Sequence, residues 1–148
     1  MDEILIAPCG MNCNICAGYL ARKYDVRARG VKQPYCASCR IRNKQCAFLK
    51  KRCLLILTGK ITYCYQCQEF PCSRLRALDR RYRANFRMSM IENLVYIQKW
   101  GVALFLQREE EKWRCRECGE VISCHNGICY NCGLERFKGK VNRFRWDT

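Results

Sequence analysis

The sequence holds a single histidine, His125, so any histidine-based dyad or triad would have to rest on that one residue. Acid is scarce through the middle of the chain: between Arg22 and Arg87 stand eighteen lysines and arginines against only Asp25, Glu69 and Asp79. No apolar stretch approaches the roughly 20 residues of a membrane span. The longest aliphatic block is Leu54 to Leu57. The opening residues Met1 to Ile6 carry acid where a secretory signal needs base, and their apolar run is too short for an h-region. Cytoplasmic residence with no membrane partner is the expectation. Aliphatic and aromatic residues are also in short supply, because the 49% apolar fraction counts all fifteen cysteines and 28% of the chain is charged. A chain of 148 residues is about one domain long, and this one is expected to have a thin core in which metal ligation supplies folding free energy.

What the chain has in excess is thiol. In a reducing cytosol cysteines persist as ligands or nucleophiles, and an odd number fits a closed disulfide framework poorly. Ten of the fifteen lie between Cys9 and Cys72, at spacings of three and four residues that bring several sulfurs within reach of one cation. The strongest signal comes later: Cys115-x2-Cys118-Gly119 and Cys129-x2-Cys132-Gly133, two knuckles whose four sulfurs are expected to share one zinc ion in a zinc ribbon. Each trailing glycine is expected at positive φ, aiming backbone N–H groups at sulfur. The tail from Phe137 to Trp146 is read as the ribbon's remaining strand.

Sequence spacing pairs Cys36 and Cys39 with Cys64 and Cys67 as a second, ribbon-like zinc site. It places Cys9, Cys13, Cys16 and Cys72 around a third centre, holding either Zn2+ or a [4Fe-4S] cluster. Cys46, Cys53 and Cys124 are left without a fixed role; Cys46 and Cys53 could displace one of these ligands. The spacing Cys9-x3-Cys13-x2-Cys16 coincides with the three-cysteine signature of radical S-adenosylmethionine enzymes, but 148 residues leave too little chain for the barrel such enzymes need.

Residues 1–8 read as a short strand or extended lead-in, and Ala17 to Tyr24 as a helix with Leu20 inward; Gly30 and Pro34 mark a turn. Residues 53–59 are too short to decide between strand and helix. Ser73 is expected to N-cap a helix through about Ala84, with Leu75, Leu78 and Tyr82 on one stripe. Ser89-Met90-Ile91-Glu92 has the capping-box form and starts a second helix carrying Ile91, Leu94, Val95 and Gln98. A third follows from Val102 to Lys112 after a break at Trp100-Gly101, with an acidic block at Glu109, Glu110 and Glu111. The whole reads as a small α+β metal-stabilised protein in three segments: a cysteine-rich module over 1–72, helices over 73–112 and a ribbon over 113–148.

The run from Ile6 to Cys16, Cys36-Ala37-Ser38-Cys39, the box Cys64-x2-Cys67-x2-Phe70-Pro71-Cys72 and the terminal ribbon together resemble an uncharacterised cysteine-rich prokaryotic family of unknown function. The resemblance extends to Ser89–Leu94 and Trp113-Arg114-Cys115. It implies a metal-binding module carried with a ribbon, in an organism with little oxygen, and no established activity.

Charge points to partners. The formal net charge is +15, and three four-thiolate sites, each contributing −2 once metallated, would lower it to about +9. Arg74, Arg76, Arg80, Arg81, Arg83 and Arg87 crowd one helix and its exit, opposed only by Asp79, and guanidinium groups suit phosphate. Lys138, Lys140, Arg143 and Arg145 repeat the theme in the tail, interleaved with Phe137, Phe144 and Trp146, which could stack on unpaired bases or pack under the ribbon. RNA or a ribonucleoprotein is the expected partner; in an iron–sulfur protein for electron transfer or redox sensing, the same charge would steer an acidic protein partner instead. No catalytic residue is assigned, and an enzyme is the lesser reading. A reactive thiol would fall at Cys46, Cys53 or Cys124, with Lys44, Lys50, Lys51 and Arg52 lowering the pKa near Cys46. His125, at the hairpin tip, is expected to face solvent.

Overall fold

The computed structural model describes residues 1–42 and 53–147. Cys46, Lys44, Lys50, Lys51 and Arg52 lie outside the described residues. Seven α-helices are present among those described: α1 (Ala17–Lys23), α2 (Cys39–Arg42), α3 (Leu54–Leu57), α4 (Ser73–Phe86), α5 (Met90–Trp100), α6 (Val102–Lys112) and α7 (Leu134–Lys138). β-structure among them is confined to the isolated antiparallel bridges Ile6 with Asn12, Arg114 with Val121 and Ile122 with Cys129. The protein is therefore small and mostly helical, and the α+β expectation is not met. In the C-terminal segment Val121 bridges back to Arg114 while Ile122 bridges forward to Cys129, so each pairing stops at a single bridge. None of the described helices is long and apolar enough to cross a membrane.

Of the two forms expected for residues 1–8, strand or extended lead-in, the strand is not formed. Asp2 instead accepts a hydrogen bond from the Ile4 N–H at 3.1 Å and caps a 3-10 turn over Glu3–Leu5, leaving Ile6 a single bridge. Helix α4 starts at Ser73 as its first helical residue, with Cys72 as the N-cap and no side-chain cap bond, so Ser73 is not the cap. Ser89 does cap α5: its hydroxyl oxygen accepts from the Glu92 N–H at 3.0 Å. The other half of the capping box is absent because the Glu92 carboxylate pairs with Arg83 at 3.0 Å.

The inward stripe of α5 is Met90, Asn93, Leu94 and Ile97, while Val95 is 47% exposed. That rotation from the expected stripe follows from the loop beneath. Gly10 sits at φ +86, and a Cβ there would stand 2.5 Å from the Met90 carbonyl oxygen and 2.8 Å from Leu94 Cγ. The Asn93 side chain then donates to the Gly10 carbonyl at 2.9 Å. The segment Cys9-Gly10-Met11-Asn12-Cys13 is thus shaped by contact with a helix eighty residues away as much as by any ligand.

Two buried carboxylates tie the helices together. Asp79 accepts from Ser89 Oγ at 2.6 Å, the Ile91 N–H at 3.0 Å and Arg83 Nε at 2.7 Å, locking α4 to the start of α5. Burial pushes its pKa up, but the donors from Ser89, Ile91 and Arg83 prevail and hold it below the usual carboxylate range. Glu109, read in the sequence as part of an acidic block, is 1% exposed and accepts from Asn12 Nδ2 at 3.1 Å and Trp113 Nε1 at 3.0 Å.

Two apolar clusters result. The larger joins Leu5, Ile6, Met11 and Ile15 to Leu75, Met90, Leu94, Phe105 and Trp113. The smaller packs Ile128, Tyr130, Leu134 and Phe137 against Ala17, Leu20, Ala21, Val26 and Val31. Residues from all three sequence segments share these cores. The tail is not a strand: Leu134 and Phe137, one helical turn apart and both fully buried, place α7 against α1.

Candidate metal centres

The C-terminal knuckles come together as their spacing predicts. Cys115, Cys118, Cys129 and Cys132 place their sulfurs within 4.8 Å of one another, with Cys115 to Cys132 at 3.6 Å and Cys118 to Cys129 at 3.5 Å. A Zn–S bond of about 2.3 Å requires a tetrahedral edge of about 3.8 Å, which these pairs approach. The group fits one thiophilic ion. Each knuckle is closed by a backbone bond, Gly119 N–H to the Cys115 carbonyl at 2.9 Å and Gly133 N–H to the Cys129 carbonyl at 2.8 Å.

Gly119 has the expected positive φ of 78, but Gly133 sits at φ −108. It is needed for a different reason: a Cβ there would stand 2.9 Å from the Cys129 carbonyl oxygen. Without metal, the sulfurs share protons unequally. The Glu120 N–H and the Asn131 side chain hold Cys118 down to about 7, while hydrogen bonds from Cys118 and Cys115 push Cys132 up to about 12. An ion displaces these protons, so affinity should fall with acid.

His125 and Cys124 are not exposed at a hairpin tip. The His125 ring packs against Phe86 and Tyr82, its Nδ1 accepts the Ala17 N–H at 3.2 Å and lies 3.4 Å from Cys124 Sγ. Cys124 is completely buried, and burial pushes its thiol well above the ordinary range, which removes it from the reactive candidates. Burial, with a smaller contribution from Arg81, lowers His125 from 6.5 to about 4.

The sign for stability follows directly. Below pH 6.5 the unfolded chain binds a proton that the folded chain refuses, so stability is present above that pH and declines toward pH 4, by up to about 3 kcal/mol. Because His125 is the chain's sole histidine, its ring resonances are assigned without mutagenesis. The expected NMR titration midpoint is about 4; a midpoint at 6.5 would show the ring to be solvated.

The N-terminal cysteines divide differently from their sequence grouping. Cys13, Cys16, Cys36 and Cys39 line one cavity of about 320 Å3. Cys53, Cys64, Cys67 and Cys72 line another of about 400 Å3. The structure thus brings Cys36 and Cys39 to Cys13 and Cys16, and brings Cys72 to Cys64 and Cys67. Cys9, at the start of the first loop, is buried. Cys53, given no fixed role in the sequence, joins the Cys64 box through the fold of α3, a relation that no local spacing announces. No disulfide joins any of the described cysteines.

The basic residues are exposed but partly engaged. Arg74, Arg76, Arg80, Arg81, Arg83 and Arg87 all lie at the surface of α4 and its exit. Arg83 is paired with Asp79 and Glu92, and the Arg87 guanidinium lies 4.2 Å from the centre of the Trp146 ring. In the tail, Lys138 pairs with Glu135, Lys140 pairs with Asp147, and Arg143 stands 5.6 Å from the Phe137 ring centre. Arg145 is exposed. Phe137 is buried, and Trp146 donates to the Cys124 carbonyl at 2.8 Å with its ring over Gly127. Of the three tail aromatics, Phe144, 47% exposed, offers the most open face for stacking.

Fold and site define a small cysteine-rich, mostly helical protein with a thiol quartet that could hold a metal ion. Residues 5–77 match the model of a family described as "Protein of unknown function (DUF3795)". No curated protein and no solved structure matches it.

Proposed function

We propose that this is a zinc metalloprotein whose metal holds the C-terminal module against the N-terminal one, and that its basic surface docks on RNA or a ribonucleoprotein. The observation that carries the metal assignment is the sulfur geometry of Cys115, Cys118, Cys129 and Cys132, whose edges approach those of one tetrahedral ion. All-thiolate, four-coordinate surroundings leave no open position for a substrate, so the ion's part is structural.

The docking surface rests on charge and shape. The exposed arginines of α4 border a cleft of about 470 Å3 lined by Arg83, Arg87, Arg108 and Lys112, with Glu92 the one acid among its lining residues. Guanidinium groups in such a cleft suit phosphate oxygens. Because Phe137 is buried and Trp146 is half-buried over Gly127, leaving Phe144 as the open tail aromatic, phosphate contact more than base stacking supplies the affinity.

Binding to a fluorescent single-stranded RNA should therefore weaken about 300-fold between 50 and 200 mM salt if some six phosphates are engaged. Reversing Arg80 and Arg81 to glutamate, at exposed positions on α4, should flatten the salt slope and weaken binding at least tenfold. Salt-independent binding, or none, counts against the docking reading and leaves the zinc assignment intact. Elemental analysis tests the latter: one zinc per chain is expected from this centre.

A further inference from the structure

The cavity between the first cysteine loop and the Pro34–Cys39 segment is not explained by the C-terminal centre. Four cysteines line it, two from each side: Cys13 and Cys16 precede α1, and Cys36 and Cys39 precede or begin α2. The approach of the two segments is built in. The Cys36 N–H donates to the Gly18 carbonyl at 3.0 Å, and a Cβ on Gly18 would stand 3.1 Å from Cys36 Cβ, so a side chain at position 18 would force the second pair away from the first. Backbone donors point at the sulfurs. The Cys39 N–H donates to Cys13 Sγ at 3.5 Å, and the Gly18 and Tyr19 N–H groups donate to Cys16 Sγ. Gln33, 4% exposed, lines the same cavity and has a buried Oε1 without a hydrogen-bond partner among the described residues.

The size of this arrangement separates two occupants. At the C-terminal quartet the sulfurs close to the edge length of a single-ion tetrahedron. Among the described residues no other set of three or more candidate donors lies within 4.8 Å of one another. The four thiols that line the N-terminal cavity are not gathered to that separation among the described residues, and they border about 320 Å3 of space. A cubane of four irons and four sulfides spans such a rim, because its terminal thiolates bind at separate corners, and N–H donors to the ligand sulfurs are among the features that tune these clusters.

We propose that Cys13, Cys16, Cys36 and Cys39 are the ligands of a [4Fe-4S] cluster. The site differs from both four-cysteine groups suggested by spacing, since it takes one C-x2-C pair from each. His125 and Tyr82 line its wall beside the helices. The positive charge of Arg81 reaches His125 in that wall.

The test uses full-length protein purified without oxygen and reconstituted with equal parts of ferric and ferrous iron and with sulfide, with iron, acid-labile sulfide and zinc counted per chain. About four irons and four sulfides are expected beside one zinc, with broad absorption near roughly 400 nm. Cys36→Ser with Cys39→Ser should abolish iron and retain zinc; Cys64→Ser with Cys67→Ser should retain both. A second measurement on the unmutated protein removes dependence on folding of the variants. Alkylation of native, iron-loaded protein followed by peptide mass spectrometry should find Cys13, Cys16, Cys36 and Cys39 protected together, and labelled after the iron is stripped. Zinc as the only bound metal overturns the proposal, as does iron that survives the Cys36 and Cys39 substitutions and leaves with Cys64 and Cys67. Since zinc at the C-terminal quartet is counted separately, failure here is distinguishable from failure of the zinc assignment.

Discussion

Replacing Cys129 by serine is expected to remove the C-terminal metal and, with it, the ordered packing of the last thirty residues. Cys129 is 5% exposed and supplies both one sulfur of the quartet and the carbonyl that closes the second knuckle. Its neighbours Ile128 and Tyr130 belong to the smaller core, with Leu134 and Phe137 one and two turns further along. The loss therefore propagates to the face of α1. Structural zinc contributes about 10–16 kcal/mol in peptides that fold only around it. Here apolar contacts with α1 persist in part, so a destabilisation of at least about 4 kcal/mol is expected, near the upper limit for a single substitution. Zinc content should drop by one per chain, near-ultraviolet dichroism from Tyr130 and Phe137 should collapse, and the urea transition should lose its cooperativity. A variant with unchanged zinc content and an unchanged transition would contradict the assignment of this ion to these four sulfurs.

Gly10→Ala is expected to destabilise the protein almost as much without touching any ligand. Alanine at φ +86 carries left-handed strain of about 1–2 kcal/mol. Its Cβ, 2.5 Å from a backbone oxygen of α5, also forces a shift of the helix start, at a cost of about 1–3 kcal/mol. The sum, about 3 kcal/mol, should appear in urea unfolding of metal-replete protein, with metal stoichiometry unchanged. A change below about 1 kcal/mol would mean that the loop does not lie against Met90. The outcome separates two accounts of the Cys9–Cys13 loop, because an ordinary ligand turn in solvent tolerates alanine far better than a loop wedged beneath a helix.

The same contact explains where sequence reasoning succeeded and where it stopped. Helices α1, α4, α5 and α6 were legible because their apolar residues recur at helical spacing and their ends carry local signals, such as Ser89 before α5 and Gly101 between α5 and α6. The C-terminal quartet was legible for a similar reason: a knuckle is a local object, and two of them with matching glycines have few other ways to use their sulfurs. The stripe of α5 was displaced because its first turn is oriented by the Gly10 loop. Phe137 was read as strand because alternation with Lys138 and Lys140 hid its helical pairing with Leu134. Asp79 and Glu109 were unremarkable as residues, and only packing makes them hubs.

The N-terminal thiols show the limit most clearly. Each C-x2-C pair can be recognised from spacing, yet which pairs meet depends on the path of the intervening chain, and four cysteines already permit three pairings. Contact between Gly18 and Cys36 brings the second pair to the first, and the Cys64 N–H donates to the Pro8 carbonyl at 2.8 Å, at the opening of the first loop.

Sequence alone determined that this chain would be rich in thiol ligands, basic through its middle, helical after Ser73 and closed by a four-sulfur knuckle pair, since each of these follows from composition or from residues a few positions apart. Tertiary structure alone decided which distant thiols face one cavity, which arginines are free to meet an anion and why Gly10 must be glycine. Those properties depend on through-space contacts between residues far apart in the chain, and such contacts are set by packing.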